Sequence, residues 1–229
     1  MLREEANARA ETVYVMKAMS HSSLLYHQLR AGGISEETFE SMGRQFAARE
    51  HTAAQPDFAP ADSFAENVTL RIRDLKDWVL KISHHVHESQ LNAWLSFVEN
   101  GVKEMKRENR PLAVTFDVHS INAFFADGVL LPFDTQPWKK EWFWGPEPMN
   151  AYRLATDIFA FSGEEAGRAF LRGYASGTKR EVFRAVEEKT WIVYAALIML
   201  AYLYMLGEKD AEKREGAELY RKFLQEYRE

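Results

Sequence analysis

The stretch that decides the fold is residues 191–206, WIVYAALIMLAYLYML, from Trp191 to Leu206. It is bracketed by Glu187-Glu188-Lys189 on one side and Glu208-Lys209-Asp210 on the other. Sixteen consecutive apolar residues make roughly 24 Å of helix, short of a bilayer core of about 30 Å. The flanking charges are mixed in sign, so nothing orients the run across a membrane. Tyr194, Tyr202 and Tyr204 lie within it, whereas a spanning helix prefers its tyrosines at the ends. A helix apolar on every side is otherwise the centre of a globular core. The run is therefore expected to be a buried central helix, with no membrane span.

Working outward, Thr178-Lys179-Arg180-Glu181 has the form of a capping box, and Val182, Phe183 and Val186 follow as a one-sided stripe. Together these predict one long helix over about 178–206, ending at Gly207 in a C′ position. Around it the chain reads as mainly α. Residues 3–31 form a helix closed by Gly32-Gly33, and Ser35 caps a second that runs to about Glu50. Residues 51–61, with two prolines, form a loop. Ser63 and Glu66 make another capping box.

Two apolar stripes follow, Phe64-Val68-Ile72-Leu75-Val79-Ile82-Val86 and Leu91-Leu95-Val98-Val102-Met105. The five-residue step from Val86 to Leu91 breaks the phase, which predicts a turn near His87–Ser89 and two antiparallel helices; one bent helix over 62–108 is the alternative. Residues 110–148 differ in character. Val114, Phe116 and Val118 alternate with polar residues as in a short strand, Asp127-Gly128 is a turn, and Val129 to Phe133 can pair back. Pro132, Pro137, Pro146 and Pro148 are expected to exclude regular structure. Helices resume at Asn150–Phe161, from a Ser162/Glu165 cap to about Tyr174, and at 208–228. The expected architecture is one domain over 1–229. It is a multi-helix bundle with N-terminal helices 1–109, a small irregular or β insert at about 110–148, and C-terminal helices 149–229.

The chain carries a net charge of −5 and has no cysteine. Disulfides, thiolate nucleophiles, Fe–S clusters and cysteine-based zinc sites are thereby excluded. The acidic balance does not favour broad nucleic-acid binding, although a local basic patch is compatible with it. The charged start MLREEANARAE has no apolar signal region, so a cytoplasmic location is expected.

Seven histidines make few catalytic constellations. His84 and Glu88 are one helical turn apart and could share a metal, but no Glu-x-x-His accompanies them. His21 shares a stripe with Tyr14, Ala18 and Leu25 and is expected to point inward, as a core histidine satisfied by a backbone or tyrosine partner, with a catalytic or ligand role as the alternative. His119, two residues from Asp117, is expected on the polar side of its strand, where the two could form an acid–base pair. Arg44 and His51 sit seven apart in RQFAAREH. Over those eight residues the spacing resembles the Arg-x(4–6)-His element of the all-helical HEPN ribonucleases. The resemblance implies that Arg44 binds a scissile phosphate and His51 acts as acid–base catalyst. The chain has Gln45 where those families favour Asn, Asp or His after the arginine. No phosphate-binding glycine loop occurs, and no cofactor is expected.

The segment PWKKEWFWGP carries Trp138, Trp142, Phe143 and Trp144 between prolines. Such rings anchor interfaces or close a core. The reading that follows is a non-enzymatic protein-interaction or accessory subunit of a larger assembly, through a protein partner or self-association, with loop 138–144 as its contact surface. A HEPN-like ribonuclease or other hydrolase using Arg44 and His51 is the alternative, and a metal-binding helical bundle a weaker one.

Overall fold

The computed structural model describes residues 21–52, 63–106, 112–133, 144–146, 149–178, 185–207 and 210–227. Among these, eight α-helices account for most of the chain: α1 (Leu25–Ala31), α2 (Glu36–Thr52), α3 (Phe64–Leu80), α4 (Glu88–Met105), α5 (Met149–Ser162), α6 (Glu164–Thr178), α7 (Ala185–Leu206) and α8 (Ala211–Glu226). The fold is the mainly α bundle expected. Its centre is α7, packed by α3, α4, α5 and α8. From Trp191 to Leu197 every residue of α7 is buried, and its exposed apolar side chains are confined to its ends, at Val186, Met205 and Leu206. A helix with no polar face can be accommodated only by neighbours on all sides, and four helices supply them.

The start of α7 differs from the expectation. Thr178 closes α6, where its hydroxyl donates to the Ala175 carbonyl at 3.1 Å. Glu181, the other half of the expected capping box, lies outside the described residues. Gly207 ends the helix with its N–H on Leu203 O at 2.7 Å. Its value is space: a Cβ there would lie 2.9 Å from the Arg214 side chain.

Elsewhere both apolar stripes turn inward as their spacing requires. The Ser63/Glu66 capping box is formed, and Ser35 Oγ accepts from Thr38 N at 3.3 Å. The chain makes two helices here, not one bent helix, and the break begins at Lys81, earlier than the stripes suggest. Upstream of α1 the helix expected over 3–31 is interrupted. His21–Ser23 form a 3₁₀ turn, and Leu24 bridges to Phe124 instead. Ser162 belongs to α5. The corner to α6 is made by Gly163 at φ 88°, not by a serine cap.

The insert consists of two small antiparallel pairs. β1 (Leu112–Val114) pairs with β4 (Trp144–Pro146), and β2 (Ala123–Ala126) with β3 (Val129–Pro132). The β2–β3 turn is Asp127-Gly128 with φ of 51° and 77°, the positive pair that a two-residue hairpin needs. Pro132 and Pro146 end strands rather than exclude them. A two-stranded pair leaves one side of each strand free, and a residue without an N–H fits there. Two glutamines clip this hairpin to the bundle. Gln28 donates to Phe125 O at 2.6 Å, and Gln45 donates to Gly128 O at 2.8 Å while accepting from Leu130 N at 3.0 Å.

Candidate binding groove

Helices α3 and α4 each lay their apolar stripe on α7. α4 sits close because Gly101 faces Thr190, where a Cβ would lie 2.0 Å from Oγ1. Two rods resting on a third leave a furrow between them. Here it is a cleft of about 480 Å³ lined by Thr69, Ile72, Arg73 and Lys76 of α3 and by Glu99, Val102 and Lys103 of α4 with Lys106, the residue that caps it. Each set has the spacing i, i+3, i+4, i+7 that places four side chains on one helix face. Buried Ile72 and Val102 form the floor, and the cations stand on the rims.

The charges are unequal in their commitments. Lys76 pairs with Glu99 across the cleft. Lys103 reaches, among the described residues, only Asn100 Oδ1, at 3.5 Å. Among the described residues, neither Arg73, Lys103 nor Lys106 has a carboxylate at ion-pair distance. The cleft thus holds four cations against one anion in a chain whose net charge is −5. Held-apart like charges over an apolar floor attract an anionic group and favour burial of a small apolar one.

Two residues before Arg73, Arg71 has the opposite role. It is fully buried and donates to Asn67 Oδ1 at 3.2 Å, Thr115 Oγ1 at 3.1 Å and Trp144 O at 2.7 Å. Burial lowers its pKa from the usual arginine value, partly offset by Tyr194. A Cβ on Gly145 would lie 2.6 Å from its guanidinium, so this glycine makes room for it. Arg71 thereby fastens β4 to α3.

Other buried polar groups serve the same end. Asp157 of α5 accepts from the Tyr220 hydroxyl and from Ser120 N at 2.5 Å. Burial pushes its carboxyl upward against those two donors. Asn150 Oδ1 accepts from Phe116 N at 2.8 Å, and its amide donates to Val114 O at 3.0 Å and to Glu50. Arg153 donates to Phe116 O at 2.9 Å and pairs with Asp117.

The residues singled out from the sequence are scattered. Arg44 is exposed and bonded to Glu40 at 2.6 Å. His51 lies in the last turn of α2 and His21 in the 3₁₀ turn, and the side chains of both lie outside the described residues. Gln45, the departure from the HEPN pattern, is the clip on the hairpin. His84 and Glu88 are both exposed; His84 lies against His85, with ring centroids 4.0 Å apart. Among the described residues, no three His, Asp or Glu side chains converge as for a metal.

His119 does not face the polar side. It is 6% exposed, and burial lowers its pKa to about 4, with Asp117 opposing. After Val114 the chain leaves the strand, so alternation no longer sets its direction. Trp138, Trp142 and Phe143 lie outside the described residues. Trp144 is half-buried in β4, with its carbonyl taken by Asn67 at 2.9 Å and by Arg71.

The sequence carries a signal for the groove that periodicity alone does not expose. Thr69, Arg73 and Lys76 border the first stripe at Ile72, and Glu99, Lys103 and Lys106 border the second at Val102. Only the antiparallel pairing of the two helices brings those borders together.

In architecture the chain is a helical bundle with a clipped β insert and a basic furrow on one face. Comparison with protein-family models, with curated proteins and with solved structures finds no match.

Proposed function

We propose that this chain is a non-enzymatic interaction or accessory subunit, and that the α3/α4 groove takes an anionic segment of a protein partner or of a second copy. The observation that carries this reading is the set of three cations, Arg73, Lys103 and Lys106, around an apolar floor, none with a carboxylate at ion-pair distance among the described residues. Holding like charges together at a surface costs free energy unless an opposite charge arrives. In the same reading the aromatic segment 138–144, which runs into β4, is a second contact surface. α7 stays inside the bundle rather than in a bilayer, and the chain works in the cytoplasm.

The test is a titration of isotopically labelled protein with poly-glutamate, followed by amide chemical shifts. Shifts clustered on residues 69–76 and 99–106, and abolished by the triple change R73E/K103E/K106E, are expected. Shifts spread over the whole surface, or untouched by the triple change, overturn the reading.

A further inference from the structure

We infer that the segment seated in the α3/α4 groove is an amphipathic acidic helix, which sets an apolar side chain on Ile72 and Val102 and carboxylates on Arg73, Lys103 and Lys106. This rests on the groove being a contact surface and goes on to name what fills it. The first argument concerns the backbone. Both walls are helices whose interior N–H and C=O groups are already paired along the helix, so the groove offers no free edge to an extended strand. A peptide leaving water for this cleft must satisfy its own backbone, and a helix does so. A furrow between two helices also suits a third, because the ridge of one helix packs into the groove made by others.

The second argument concerns the chemistry along the walls. From Thr69 to Lys76 the lining runs roughly 10 Å, about two turns of a bound helix. Cations on both rims with an apolar floor between them select a segment with Asp or Glu on either side of one apolar residue. A nucleic-acid backbone fits less well. Ile72 and Val102 have no partner in a phosphodiester chain, whereas an amphipathic helix supplies an apolar side chain for them. An anionic bilayer is flat and reaches the rim cations without reaching the floor.

The experiment uses the full chain and fluorescence anisotropy with labelled probes. A short Ala/Glu-rich helical peptide with one central Leu is expected to bind. Its Leu→Gln form should bind about tenfold more weakly, since one buried Leu is lost. A form with a central Pro, which cannot stay helical, should lose binding by a similar factor or more. R73E/K103E/K106E should abolish binding of the parent peptide while leaving the circular dichroism melt in place, because all three residues are on the surface.

Equal binding of the parent, Leu→Gln and Pro peptides, all lost in the triple variant, would sink the helical inference while leaving the groove as an anion-binding contact. Tighter binding of single-stranded RNA or of phosphatidylserine vesicles would replace the protein partner with that ligand. Binding of the parent peptide that survives the triple variant would remove the groove itself, and with it both readings.

Discussion

Where α2 meets α6, two glycines let backbone touch backbone; where α3 meets α4, arginine and lysine stems line the seam and hold it open. A Cβ on Gly43 would lie 2.1 Å from Phe170 O, and one on Gly173 would lie 1.9 Å from Glu40 O. The α2/α6 pairing is the most extensive between any two elements described. The α3/α4 pair touches little, and each member is held by α7 instead. The difference shows how a bundle divides its labour. Small residues at a crossing make a seam impermeable, while long charged ones beside a stripe leave volume that a ligand can enter. The insert touches both pairs, through β3 on α2 and β4 on α3.

Four experiments break or sharpen this contrast. The largest effect is expected from Gly173→Leu, which forces a side chain into the Glu40 backbone. A loss of more than about 4 kcal/mol in urea unfolding, or failure to fold, is expected. Wild-type stability for this variant would refute the close approach of α2 and α6. Next is the pair Arg71→Met and Arg73→Met. The first leaves the Trp144 carbonyl and Thr115 without their buried donor and is expected to cost about 3 kcal/mol. The second is expected within about 0.5 kcal/mol of wild type. Similar losses for both would erase the distinction drawn between the two arginines.

The third probes the insert through pH. His119 is neutral when folded because burial lowers its pKa to about 4, against an ordinary 6.5. The stability that goes with neutrality is therefore present above about pH 6.5 and is lost as pH falls through about 4. The linked change amounts to about 3 kcal/mol. Urea midpoints measured across that window should fall with acid in wild type and fall less in His119→Gln; parallel curves would place His119 in water. The smallest effect belongs to Lys76→Ala, which removes the exposed bridge to Glu99. A change under about 0.5 kcal/mol is expected, and a larger one would make that bridge a structural brace rather than part of a binding surface.

Much of the bundle was legible because periodicity is a local signal. The run at 191–206, the two stripes and the Ser63/Glu66 box each declare themselves within a few turns of helix. What escaped was decided by partners far along the chain. Gly43 and Gly173 look like ordinary helix-weakening residues until α2 and α6 are laid together. Arg71 and Arg73 are indistinguishable by composition, and only the arrival of Trp144 and Thr115 buries the first. His119 is buried, against the alternation that Val114, Phe116 and Val118 suggest, because the strand ends at Val114. Of the candidate site, the residues could be read, but their convergence across two antiparallel helices could not.

The Asp157 junction makes three distant parts of the sequence answer to one carboxylate. Its donors come from positions 120 and 220, so a single side chain of α5 ties the insert to α8. Burial already disfavours its charge, so losing the Tyr220 hydroxyl leaves it poorly matched to its surroundings. Local opening of α8 is thereby felt at residue 120, and the two regions are expected to loosen together.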